Sequence, residues 1–274
     1  MDVIEFGTAE EFLEASRQFR ANEPYLTNVI GSVAHSVTRG RRYDACHWFI
    51  ARDQGQVVGL AMRTLPHNLM ISPMSEPANA AMAAAVAQVF PDLPGFSGPL
   101  SQMPAFQSAL GAVSAETSMT EVVYVLGAFT PAVAAGVARR VNTDDVELLR
   151  TWLFDFAVEA RLPTHDIEAG VARMLDVGWL WEHDGKPVAM CGYAGPVGDA
   201  GTVVGRVGPV YTEPTQRGRG FGGAVTSAVV EQLQQMCEHI MLYADASNPT
   251  SNGVYQRLGF VEYARTGQVQ FRYA

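Results

Sequence analysis

Lysine is nearly missing from this 274-residue chain: Lys186 stands alone against eighteen arginines. The skew reads as compositional bias and carries no functional weight. Basic charge is short as a whole, with 19 Lys and Arg against 28 Asp and Glu and a net charge of −9. Such a balance does not suit broad binding to nucleic acid or anionic lipid. Cysteine is scarce: Cys46, Cys191 and Cys237 lie far apart in apolar surroundings. They read as buried, reduced thiols of a cytoplasmic protein, not as a disulfide framework. The opening MDVIEFGTAEEF is acidic and has no basic segment ahead of an apolar one, so no secretory signal is read there. One uncharged run, 122–138, is broken by Gly127, Thr130, Pro131 and Gly136. It falls short of the roughly 20 residues a helix needs to cross a bilayer; two strands and a linker are expected instead. The six histidines are scattered without metal-ligand spacing, and no nucleophile elbow occurs, so neither a metal nor a hydrolase is expected.

What is present is an ordinary globular composition, 48% hydrophobic and 17% charged, long enough for one large core or two small ones. A Thr8-x-x-Glu11 capping box opens a first helix with Phe12, Ala15 and Phe19 on one face. A second helix is expected at 25–37. HWFIARDQGQVVGLAMRT reads as a hairpin turning at Asp53-Gln54-Gly55. A strand at 69–74, an alanine-rich helix at 78–90, a short strand near Phe96, a helix at 104–113 and a strand at 121–126 follow. GAFTPAVAAG then interrupts the periodicity as a linker.

After the linker the same order returns. A strand at 137–141 precedes a helix capped by Asn142 or Thr143, with Leu149, Trp152, Leu153 and Phe156 turned inward. A helix at 166–175 leads to a second hairpin, WLWEHDGKPVAMCGYAG, turning at Asp184-Gly185. A strand at 202–212, a helix, the strand HIMLYAD, the short helix PTSNGVYQRL and two closing strands complete the chain. FIARDQGQVVGLA and LWEHDGKPVAMC agree in turn position and in the apolar run behind it, as a duplicated unit of roughly 130 residues would.

Between the 202–212 strand and its helix lies QRGRGFGG, with four glycines and two arginines in eight residues. Phe221, Ala224, Val225, Ala228, Val229, Leu233 and Met236 then recur at helical spacing. The glycines therefore occupy a first turn, where free N–H groups and the positive dipole end favour an anion. Arg217 and Arg219 add charge suited to phosphate. Gly218-x-Gly220-x-x-Gly223 also matches the dinucleotide fingerprint, with Asp245 at a fitting distance. Two facts weigh against that reading. TEPTQR separates the strand from the first glycine, and only 29 residues follow Asp245, too few for further βα units.

VGPVYTEPTQRGRGFGGAVTSAVV resembles the cofactor-binding motif of the GNAT superfamily of acyl-CoA-dependent N-acetyltransferases. Arg217, Gly220 and Gly222 meet its Arg-x-x-Gly-x-Gly signature. NPTSNGVYQRLGF resembles the family's second motif through Asn248, Tyr255, Gly259 and Phe260. One helix and one strand separate the two, as in the family. The resemblance covers 137–274 closely. Residues 1–128 look like a degenerate copy without the pyrophosphate loop, joined by a linker at 129–136. The implied fold class is α/β (α+β): two tandem GNAT-like units, each a mixed, mostly antiparallel twisted sheet flanked by helices and split at the cofactor strand.

The resemblance also implies roles. Backbone groups of Val210, Tyr211 and Thr212 would meet the pantetheine arm and the thioester carbonyl. N–H groups of Arg217, Gly218, Arg219, Gly220, Phe221, Gly222 and Gly223 would hold the pyrophosphate. Asn248 would bond coenzyme A, or cap the helix that Pro249 begins. The activity would be direct transfer of an acetyl group from acetyl-CoA to a primary amine, small molecule or peptide. Tyr255 would protonate the departing thiolate, which is slightly less basic than a phenol of pKa near ~10; the alternative is an ordinary core tyrosine. The strand TVVGRVGPVYT carries no acid, a departure from the commonest family layout. The base stays open between Glu182, Glu213 and a water relay. The rival class is a catalytically silent acyl-CoA-binding regulatory protein. No nucleic acid or membrane partner is expected, and a homodimer stays open.

Overall fold

The structure is a computed structural model that describes residues 1–198 and 201–274. At its start Thr8 Oγ1 accepts from the Glu11 N–H at 3.2 Å and donates to Glu11 Oε2 at 3.0 Å. That cap ends strand β1 (Asp2–Phe6) and begins helix α1 (Ala9–Asn22). The inward stripe of α1 is Ala9, Phe12, Leu13 and Ser16; Ala15 and Phe19 sit at its margin, half-buried. Helix α2 (Asn28–Thr38) leads to strands β2 (Cys46–Asp53) and β3 (Gln56–Thr64). The expected hairpin turn joins them, with Gln54 at φ 47° and Gly55 at φ 83°. Both central residues are left-handed, the turn whose twist matches antiparallel strands.

Strand β4 (Leu69–Ile71), helix α3 (Glu76–Val89), strand β5 (Gly95–Gly98), helix α4 (Met103–Leu110) and strand β6 (Ser114–Leu126) follow. The second half repeats the order with β7 (Val137–Arg140), α5 (Val146–Glu159), α6 (Ile167–Val177), β8 (Trp179–His183) and β9 (Lys186–Val197). It continues through β10 (Val204–Thr212), α7 (Phe221–Leu233), β11 (His239–Asp245), α8 (Pro249–Arg257) and β12 (Phe260–Arg272). The β8–β9 turn copies the first, with Asp184 at φ 51° and Gly185 at φ 70°. No described helix is long and apolar enough to cross a membrane.

The first unit comprises Met1–Val122, Val197–Thr202 and Ala264–Ala274. Its strands run in the order β1-β2-β3-β4-β5-β12-β6. Alternate side chains of β2 serve two cores, as strand geometry requires. Trp48 and Ile50 pack with Phe12, Ile30 and Leu60 of one cluster; Phe49 and Ala51 pack with Met82, Phe96, Phe106 and Val269 of the other. The second unit comprises Val123–Pro196 and Val203–Tyr263, in the order β12-β6-β11-β10-β9-β8-β7. Leu149, Trp152, Leu153, Val171, Met174, Leu180, Met190 and Tyr211 form a core under α5 and α6. Helix α7 packs on β8 and β10. Each unit has the mixed, mostly antiparallel sheet expected of it.

Three features depart from the sequence reading. Strand β1 pairs antiparallel with β2 although its pattern is short and charged. A single strand, β12, stands where two were expected. Gly267, which invites a break, pairs with Gly98 and has no room for a Cβ, which would lie 2.7 Å from both Leu100 Cδ2 and the Met119 carbonyl. It marks close backbone approach inside a strand, not a turn. The expected division at 128 and 137 assigns Ala264–Ala274 to the second unit, but they lie in the first. The reason is that β12 supplies the neighbour of β5 there, and its Val269 and Phe271 enter that core.

In the first unit β4 and β5 pair in parallel at Leu69↔Phe96 and Met70↔Ser97, and polar side chains close the pair beyond. Gln102 Nε2 donates to the Ser72 carbonyl at 3.0 Å and Asn79 Nδ2 to the Gln102 carbonyl at 3.1 Å. All three residues are buried. A Cβ on Gly98 would fall 2.6 Å from the Ile71 carbonyl, so the two backbones touch. A chain ending at Tyr263 is expected to lose protease resistance throughout Met1–Val122, because β5 and β6 lose the strand between them; limited proteolysis followed by peptide mapping checks this.

Candidate active site

Strands β10 and β11 pair in parallel at Val204↔His239, Gly205↔Ile240 and Arg206↔Met241. The register ends there, although the strands continue to Thr212 and Asp245. Pro209, beyond the last residue of β10 in register with β11, has no N–H to offer that ladder. Along β10 the side chains alternate: Tyr211 is buried against Trp152, ring centroids 5.7 Å apart, while Val210 and Thr212 are half-buried. Tyr211 Oη donates to Asp155 Oδ2 at 3.3 Å. Burial, with the nearby Asp155 and Glu159 carboxylates, pushes this phenol up to about 12.

Past Thr212 a short turn, Pro214–Gln216, delivers the chain to the glycines. Gly218 (φ 77°) and Gly220 (φ 84°) are left-handed, a conformation costly for other residues. Helix α7 starts at Phe221 with Gly220 as N-cap and no side-chain cap; Ala224 N is the first to donate back, to the Gly220 carbonyl at 3.0 Å. The N–H groups of Gly218, Arg219, Gly220, Phe221, Gly222 and Gly223 have no partner among the described residues. Six adjacent donors at a helix N-terminus make an anion cradle.

The two arginines are braced by the protein itself. Arg217 donates from Nε to the Thr212 carbonyl at 3.0 Å and from Nη2 to both oxygens of Glu159 at 2.7 and 2.9 Å. Arg219 lies over the Phe221 ring at 4.8 Å and reaches His183 Nε2 at 2.7 Å. These contacts tie the loop to Glu159, to the end of β10 and to the start of α7. Gly222 and Gly223 also serve packing: a Cβ would sit 3.0 Å from Thr212 Oγ1 on the first and 3.1 Å from Ala132 Cβ on the second.

Tyr255 lies on α8, edge-on to Phe260 and 6.2 Å from it. Its hydroxyl has no hydrogen-bond partner among the described residues. Burial, reinforced by the adjacent Cys191 thiol, pushes its pKa well above the ordinary phenol value, so it stays protonated at neutral pH. Cys191 is fully buried, and all three cysteines are free. Asn248 Oδ1 accepts from the Ser251 N–H at 3.1 Å, so its side chain caps α8. Glu182 accepts from Arg139 Nε at 2.6 Å, while Arg139 also grips Asp145 through two bonds of 2.7 and 2.8 Å. Those bonds hold Asp145 below the usual carboxylate range. Glu213 is half-buried just past β10 and accepts from the Thr215 hydroxyl. Tyr124 escaped the sequence reading: it comes from the first half of the chain, yet its ring lies 6.4 Å from that of Tyr255. Gln256 Nε2 donates to its hydroxyl at 3.3 Å. Only the strand order reveals it, since VVYVL reads as plain core.

Residues 201–269 match the family model described as FR47-like protein. A mycothiol acetyltransferase from Kocuria rhizophila is 36% identical over 90 residues, covering 32% of this chain and 25% of that protein. The matches span no more than 25% of the length of the curated relatives. The structure of a GCN5-related N-acetyltransferase from Sphaerobacter thermophilus superposes with a TM-score of 0.62 at 16% identity, covering 98% of this chain and 95% of that one. A tandem GNAT protein from the clavulanic acid biosynthesis pathway gives 0.58 at 14% identity over 98% of each chain. The fold is thus a tandem of mixed α/β units of the acetyltransferase type. The FR47-like match lies at 201–269, which contains the glycine loop and helix α7.

Replacing Gly220 by Val forces a β-branched residue to φ 84° and is expected to distort the start of α7 and lower the melting temperature, as read by thermal unfolding. The raised Tyr211 phenol keeps its proton in the folded state after the unfolded chain has lost it. Its stabilising contribution is complete below pH ~10 and disappears as pH rises toward about 12. Urea unfolding across that window is expected to show a steeper loss for the wild type than for Tyr211→Phe.

Proposed function

We propose that this chain is an acetyl-CoA-dependent N-acetyltransferase whose second unit binds the cosubstrate and carries out the transfer. The observation that carries the reading is the run of unpartnered N–H groups from Gly218 to Gly223. They follow a strand whose ladder ends after three pairs. Backbone donors fit a pyrophosphate, because the missing Cβ at Gly218, Gly220, Gly222 and Gly223 lets its oxygens approach those amides. The match to mycothiol acetyltransferases supports acetyl transfer, and the FR47-like match at 201–269 contains the glycine loop.

Acetyl-CoA supplies the activated acyl group, and a primary amine accepts it by direct attack. The end of β10, from Val210 to Thr212, offers main-chain groups along the pantetheine arm. Tyr255 is the acid: it is protonated, it has no competing partner, and it stands on the helix that Asn248 caps. Glu182 is a poor base, since Arg139 already occupies its carboxylate. We assign the ammonium proton to water. The first unit, with its β4–β5 pair closed by Ser72, Gln102 and Asn79, takes no part in transfer.

Acetyl-CoA is expected to raise the melting temperature where NAD and NADP do not. Thiol release with a panel of amines then reads turnover. Tyr255→Phe is expected to lower kcat by about 10²- to 10⁴-fold with little change in KM for acetyl-CoA. Tight binding without turnover of any amine, unaltered by Tyr255→Phe, would instead identify a silent acyl-CoA-binding protein.

A further inference from the structure

Helix α7 is buried on more of its circumference than an amphipathic surface helix. Gly223, Thr226 and Ser227 are buried along with Phe221, Val225, Val229 and Leu233. The cover on its small-residue stripe is the segment between β6 and β7. Within the second unit this segment is pinned at four points. Gly127 N donates to the Gly259 carbonyl at 2.9 Å and Thr130 N to the Leu258 carbonyl at 3.1 Å. Ala132 N donates to Ser227 Oγ at 2.9 Å, and Trp181 Nε1 to the Ala135 carbonyl at 3.0 Å. The strap so formed runs beside the anion cradle. A Cβ on Gly223 would lie 3.1 Å from Ala132 Cβ; one on Gly220 would lie 3.7 Å from Ala134 Cβ and 3.9 Å from the Val133 carbonyl. Val133 itself is 94% exposed, so its side chain leaves the strap for solvent at the level of the cradle.

We propose that the Thr130–Ala135 strap forms one wall of the site for the phosphate end of coenzyme A and sets the affinity for that end. The proposal rests on reading Gly218–Gly223 as the pyrophosphate cradle. The strap carries no charged residue, so its wall consists of main chain and methyl groups beside a polyanion. A charge introduced at its exposed position acts on the phosphates across a short, solvent-screened distance.

Val133→Glu and Val133→Lys test this by calorimetric titration with coenzyme A at low and at high salt. Because the side chain is exposed, both variants are expected to keep the wild-type melting temperature. Val133→Glu is expected to weaken coenzyme A binding about fivefold and Val133→Lys to tighten it by a similar factor, with the gap closing in ~0.5 M salt. If the wild type binds coenzyme A and both variants bind it equally well, the wall is refuted while the cradle stands. A gap that persists at high salt also refutes it, since the two side chains would then act by disturbing the loop and not through their nearness to the phosphates. A wild type that fails to bind coenzyme A at all refutes the cradle itself.

Discussion

A parallel pair that holds for three residues and then parts is the constraint on which the second unit depends. Beyond Arg206 and Met241 the backbone groups of β10 and β11 have no ladder between them, and buried polar backbone must be satisfied somehow. The second unit follows the end of that ladder with a loop whose amides, from Gly218 to Gly223, have no partner among the described residues. The first unit has the same strand order and meets the same constraint differently. Ser72, Gln102 and Asn79 lace its parallel pair shut, and Gly98 lets the strands touch.

The arginines of the loop illustrate how charge is used. Arg217 spends its guanidinium on Glu159 and on the Thr212 carbonyl, and Arg219 lies flat on Phe221. Half-exposed pairs of this kind contribute little to stability. Their value is geometric: they fix the left-handed glycines between two rigid elements, so that the amides point together. The positive end of α7 and its free N–H groups then attract an anion without a dedicated cationic side chain.

Local chemistry was legible in the sequence. The Thr8 cap, the two positive-φ turns, the inward face of α5 and the start of α7 all follow from residue types at fixed spacing, and each is found where expected. Asn248 caps α8, one of the two compatible roles expected of it. What escaped depends on partners distant in sequence. β1 has no periodicity of its own and exists because β2 offers an edge. Gly267 looks like a turn until Leu100 and the Met119 backbone are seen to crowd it. Tyr124 approaches Tyr255 only because the strand order places β6 beside β11, and no pattern within VVYVL announces that. The strap reads as a linker because alanine, glycine and proline break periodicity. Its contacts with α7 need backbone proximity, which composition does not encode.

The place of β12 between β5 and β6 bears on how the protein is made. As the chain leaves the ribosome, the first half presents β5 with one edge unsatisfied, and the strand that belongs there is synthesised only after the entire second half. At roughly 5–20 residues per second this leaves an exposed sheet edge for about 10 to 35 seconds, a standing invitation to pair with a neighbouring chain. The N-terminal unit therefore cannot mature as an autonomous first domain. Its completion waits on Ala264–Ala274, which are synthesised after the second unit.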